Sequence, residues 1–211
     1  MKKFMVAALL LGVLNVASAA AQETRIVRIE HEYQDAPPLR AAIEYCERRK
    51  THPVCQRSKK LGRGVSISRT ELQKLWSKHY KKFVPEADVD AEKNPNDVWR
   101  DDVWRGDCED IILSFRRVAV AELGWSVSDF AIVFALDGKW QNRGHALLVV
   151  RTQEGDYILD VASWRVRTPQ QTEEWEDYTY VKRTSLFDPT KWVYMGGVGT
   201  TPIAKPARKT T

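Results

Sequence analysis

An α+β fold is what this sequence predicts, on two observations. Apolar residues recur at helical spacing as far as Leu123 and then give way, from Phe130 onward, to short runs of Val, Ile, Leu, Tyr and Trp bounded by turn residues. Helices first and strands afterwards imply helices packed on one face of a mostly antiparallel sheet. The composition agrees. With 43% hydrophobic and 29% charged residues, and 33 Lys and Arg against 28 Asp and Glu, the chain is neither collagen-like, nor a coiled coil, nor wholly disordered. Its 211 residues suffice for one mixed core with a helical extension. The division predicted is a leader over 1–21, a helical part over 22–84, a core over 85–195 and a polar tail over 196–211.

The leader carries Lys2 and Lys3, an apolar run from Phe4 to Val16, and small residues from Ala17 to Ala21. That is the layout of a secretory signal peptide, too short for a comfortable membrane span. Cleavage between Ala19 and Ala21 is expected, with no cysteine there to take a lipid, so stable membrane insertion is not expected. The chain is placed in the periplasm or outside the cell. In such an oxidising compartment Cys46 and Cys55 read as a disulfide, the alternative being two free thiols, and Cys108 is left as the odd cysteine.

Pro37 and Pro38 precede a first helix with Leu39, Ala42, Ile43 and Cys46 on one side. Ser68 and Glu71 have capping-box spacing ahead of Leu72, Leu75, Trp76, His79, Tyr80 and Phe83, a second helix in which His79 belongs to the apolar stripe. From Pro85 to Asp102 the acidic, turn-rich composition predicts a surface loop. A third helix begins at Cys108, buries Ile111, Ile112, Phe115, Val118, Ala119 and Leu123, and stops at Gly124. Strands follow at Phe130 to Leu136, His145 to Arg151, Asp156 to Val161, Tyr178 to Arg183 and Trp192 to Met195. The tail carries Lys205, Arg208 and Lys209 without interleaved aromatics, so neither it nor the net charge of +5 suggests nucleic acid.

Chemistry concentrates at three places. Cys108 opens a helix, where unsatisfied N–H groups and the dipole favour a thiolate, although Glu109 and Asp110 oppose it. His145 begins an apolar strand, where an imidazole needs hydrogen-bond partners. If Thr152 to Gly155 turns a hairpin, Asp160 falls on the same face as His145, one diagonal step away. Sulfur, imidazole and carboxylate would then form a nucleophile, a base and an orienting group. Taken singly, His145 reads equally as a satisfied core histidine and Asp160 as a strand-end turn residue.

Gly106 to Asp110 spell GDCED, and with Gly144-His145-Ala146-Leu147 and Ile158-Leu159-Asp160 this resembles the bacterial transglutaminase-like cysteine proteinases, strongest from Val98 to Val161. The resemblance implies a papain/transglutaminase-like core, a thiol hydrolase with Cys108 as nucleophile, His145 as base and Asp160 as orienter, and a protein or peptide substrate. Its LapG-like branch also implies calcium at Asp107 and Glu109, with further oxygens from Asp101 or Asp102, and allows a regulatory membrane receptor. The same acids suit a plain helix start, with Asp107 as cap, Asp110 closing a capping box and Glu109 facing the dipole. Three other functions share these residues: a protein-crosslinking transglutaminase, an amidase acting on cell-wall peptide, and a non-catalytic binding module.

Overall fold

Residues 34–86, 98–141 and 143–195 are described in the computed structural model. The leader, residues 87–97 of the acidic loop and the tail lie outside them.

Helix α1 (Arg40–Arg48) starts after the two prolines and buries Ala41, Ala42, Tyr45 and Cys46. Tyr45 takes the inward place expected of Ile43, which is exposed. Cys46 and Cys55 form a disulfide that fastens α1 to a single 3-10 turn at Pro53–Cys55. Helix α2 (Arg69–Tyr80) carries the capping box of Ser68 and Glu71 in full. Helix α3 (Cys108–Ala121) is followed by Gly124 at φ +70, the left-handed position that glycine tolerates best. Leu123 lies beyond the helix and is exposed, while Leu113 is buried in its place.

The sheet contains β1 (Asp35–Ala36), β4 (Phe130–Asp137), β5 (Arg143–Thr152), β6 (Gly155–Asp160), β7 (Ser163–Arg167), β8 (Tyr178–Thr184) and β9 (Trp192–Tyr194). Their spatial order is β1-β9-β8-β4-β5-β6-β7, every neighbouring pair antiparallel. Two short strands, β2 (Val84–Pro85) and β3 (Arg105–Gly106), pair in parallel beside it. The hairpin of β5 and β6 has the expected register, Thr152 opposite Gly155 and Leu148 opposite Leu159.

Alternation along the strands gives the sheet two buried faces. Phe130, Ile132, Leu148, Val150 and Leu159 share one core with Leu72, Trp76, Ile112 and Phe115 of the helices. Each large apolar side chain so buried contributes about 1.5–3 kcal/mol. Ala131, Val133, Leu147, Val149 and Ile158 form the second core with Tyr178, Tyr180 and Leu186. Helix α4 (Pro169–Glu176) packs against β6 and β8. The segment Val98 to Asp102, read as surface, is partly interior, since Trp99 and Asp101 are buried.

Candidate active site

The head of α3, where Cys108 sits, is held by the chain ahead of it. Tyr45 OH donates to Asp101 Oδ2 at 2.8 Å, Arg48 donates to the Trp99 carbonyl at 2.9 Å, and Arg49 pairs with Asp101 at 2.6 Å and Asp102 at 3.1 Å. Arg100 then gives its backbone N–H to Asp110 Oδ1 at 2.7 Å and its guanidinium to Oδ2 at 2.8 Å. Helix α1 thus grips residues 99–102, and these grip the first turn of α3.

That arrangement overturns the capping-box reading. Asp107 occupies the N-cap position but makes no side-chain cap bond, and Asp110 is spent on Arg100. Asp101 and Asp102 both pair with Arg49, and neither falls in the cluster of close ligand atoms around Cys108. Asp107, Cys108 and Glu109 remain, with ligand atoms within 4.8 Å of one another. The two carboxylates are hard oxygen donors of the kind Ca²⁺ takes and would supply part of its six to eight ligands; the thiol is unsuited to it.

Cys108 is half-buried at the head of α3 and donates its S–H to Glu109 Oε2 at 3.2 Å. Burial, followed by the charge of Glu109, pushes the thiol well above its ordinary value, against the backbone N–H of Ala146, which lies 3.5 Å from Sγ and lowers it. In the resting protein desolvation and a neighbouring anion thus oppose the thiolate that a helix start favours.

His145 stands near the start of β5, and its Nε2–H donates to Asp160 Oδ1 at 2.7 Å. A carboxylate only accepts, so the proton belongs to Nε2 and Nδ1 is the basic nitrogen of the neutral ring. Asp160 is 2% exposed and accepts two further bonds, from the Ala162 N–H at 2.9 Å and from Tyr178 OH at 3.1 Å. Cys108 and His145 line one cleft of about 340 Å³. Phe134, Trp99 and Ala146 give it an apolar lining, and Leu39, Ala41 and the Arg40–Glu44 ion pair at the start of α1 contribute a wall.

The other described histidines, His52 and His79, are occupied elsewhere. His79 is buried, and its Nε2 is 2.8 Å from Ser114 Oγ, while His52 Nδ1 accepts from the Val54 N–H. His31 lies outside the described residues. Tyr178, Arg100 and the Ala146 amide were not singled out from the sequence, because nothing in their local spacing marks them.

The profile of the bacterial transglutaminase-like cysteine proteinases (BTLCP) matches residues 32–199, most of the chain. The chain belongs to that family. It is a cysteine peptidase with a transglutaminase-like fold. Among solved structures, LapG of Legionella pneumophila is similar at 23% identity and a TM-score of 0.47, over 61% of this chain and 69% of that one. Its calcium-bound form gives 18% identity and a TM-score of 0.46 over 62% and 75%. The EGTA-treated form gives 23% and 0.46 over 61% and 70%. No curated protein sequence matches the chain.

Proposed function

We propose that this peptidase works through Cys108, His145 and Asp160, in the periplasm or outside the cell, on a protein substrate. The observation that carries the proposal is the 2.7 Å bond from His145 Nε2–H to buried Asp160 beside a cleft that also exposes Cys108. With Nε2 committed, Nδ1 takes the thiol proton as sulfur attacks a peptide carbonyl. The C–N bond then breaks, His145 returns the proton to the leaving amine, and an acyl-enzyme remains on Cys108. Water, deprotonated by His145, releases the acid and restores the thiol. The Cys108 backbone N–H is the natural first donor to the oxyanion.

A thiol pKa raised at rest favours proton transfer concerted with attack over a standing ion pair. The Cys46–Cys55 disulfide suits an oxidising compartment, and no helix among the described residues is long and apolar enough to cross a membrane. Asp107 and Glu109 are the residues that would hold Ca²⁺, whose charge would offset theirs beside the sulfur. Calcium-bound and EGTA-treated forms of the Legionella protein make that cation the one to test. Acyl transfer to an amine uses the same three groups, so crosslinking is the alternative outcome.

The test is to incubate the mature protein with periplasmic and cell-surface extracts and sequence the new termini. Fragments made by the wild type and absent with Cys108→Ala or His145→Ala are expected. Incorporation of a dansylated amine in place of new termini would mean a transglutaminase; neither product would remove the catalytic proposal.

A further inference from the structure

Asp160 presents two oxygens inside the protein, and they are used differently. Oδ1 receives His145 Nε2–H at 2.7 Å and the Ala162 N–H at 2.9 Å, whereas Oδ2 receives Tyr178 OH at 3.1 Å. The Tyr178 ring also lies 5.3 Å from the imidazole, centroid to centroid, at 36°. One side chain therefore touches both the orienting carboxylate and the ring it orients.

The chain is built to put it there. Asp177 ends α4 in the left-handed region at φ 59, turning the backbone straight into β8 so that Tyr178 is its first residue. The Asp177 carbonyl accepts the Gly138 N–H at 3.0 Å, tying this joint to the end of β4, and Tyr178 pairs with Asp137 there. A Cβ on Gly138 would come within 2.9 Å of the Asp177 carbonyl oxygen itself, so the close approach favours glycine. Tyr178 is only 5% exposed, and burial, then the charge of Asp160, raises its pKa, which keeps the hydroxyl a donor.

Resting on the proposal that His145 and Asp160 serve Cys108, we infer that Tyr178 is a positioning residue of this peptidase: its hydroxyl locks Asp160 so that His145 keeps the Nε2–H tautomer and the ring angle the thiol needs. Without that donor, Asp160 can turn about its Cβ–Cγ bond and exchange the oxygen offered to His145. A carboxylate held at both oxygens cannot.

Tyr178→Phe deletes one oxygen and keeps the ring. Iodoacetamide labelling of Cys108 at pH 8 is the probe, compared among wild type, His145→Ala, Asp160→Asn, Tyr178→Phe and the Asp160→Asn/Tyr178→Phe double variant, each checked for native near-ultraviolet dichroism. Loss of a hydrogen bond to a charged group should slow Tyr178→Phe by about tenfold. In the Asp160→Asn background the same change should add little, because the hydroxyl acts through the carboxylate it has already lost. Equal slowing in both backgrounds, or none in either while His145→Ala is slow, overturns the role of Tyr178 and leaves the triad standing. Labelling indifferent to His145→Ala would instead bring down the triad itself.

Discussion

Ala146 directs its backbone N–H at Cys108 Sγ from 3.5 Å, one residue beyond His145. A single strand therefore carries both His145 and the amide that meets the sulfur. Any slip of β5 against its neighbours would move both, and the strand is buried on two faces and paired on two edges.

In the resting protein that amide is outweighed by burial and by Glu109, which together push the Cys108 thiol up from its ordinary value. Iodoacetamide labelling should be slow at pH 7 and climb steadily with alkalinity. Glu109→Gln, which removes the neighbouring charge, should speed labelling at pH 8 by several-fold. A rate already at its plateau by pH 7 would contradict the raised thiol.

Gly106→Ala is expected to damage stability and activity together. A Cβ at Gly106 would overlap the Asp110 carboxylate, and Arg100 holds that carboxylate with both backbone and guanidinium. Relief requires moving the head of α3 and Cys108 with it. Overpacking of this kind costs about 1–3 kcal/mol, readable by urea denaturation, and peptidase activity should fall further than the loss of folded protein explains.

Much of the site was legible because it depends on local pattern. The Ser68 and Glu71 spacing specified α2, and a two-residue turn after Thr152 fixed the register that brings Asp160 to His145. What escaped depends on chain returning from afar. Tyr178 reaches Asp160 only because β7 and α4 fold back between them, and neither element was expected. For α4 the signal was present: Thr168, Pro169 and Gln171 form a capping box with proline at the first helical position. Arg49 taking Asp101 and Asp102 depends on α1 docking across residues 99–102, which no spacing in the sequence reveals.

His79 should make stability depend on acid. Burial lowers its pKa from 6.5 to about 4, with the ring against Trp104 and Phe115 and Nε2 at Ser114. The unfolded chain binds that proton more readily, so stability is full above pH 6.5 and is lost as pH falls toward 4, by up to about 3 kcal/mol. Asp110, raised by burial to about 6, acts with the opposite sign in the same range. The difference between wild type and His79→Phe isolates the histidine: phenylalanine suits the aromatic surroundings and Ser114 keeps its bond to the Ile111 carbonyl. That difference should shrink or reverse in favour of the variant between pH 6.5 and 4.

Calcium should bind at Asp107 and Glu109 and stabilise the fold it binds. At a hundredfold excess over Kd the gain is about 2.7 kcal/mol, or roughly 5–10 °C in Tm. EGTA should reverse the shift, magnesium should not reproduce it, and Asp107→Asn should abolish it. An unchanged melting curve on adding calcium would take the cation out of the account.

The disulfide should reach the chemistry through α1. Cys46 lies on α1, which holds residues 99–102 through Tyr45, Arg48 and Arg49, and Arg100 then holds Asp110 behind Cys108. Closing a loop with a sequence separation of 9 is worth roughly 2–3 kcal/mol in the unfolded chain. Cys46→Ala/Cys55→Ala should therefore unfold at lower urea. If α1 merely adds stability, the kcat of the folded variant will equal that of the wild type. If α1 aims the nucleophile helix, kcat will fall by several-fold under conditions where dichroism shows the protein fully folded, and Tyr45→Phe, which breaks the bond to Asp101 while leaving the disulfide intact, should reproduce part of that fall.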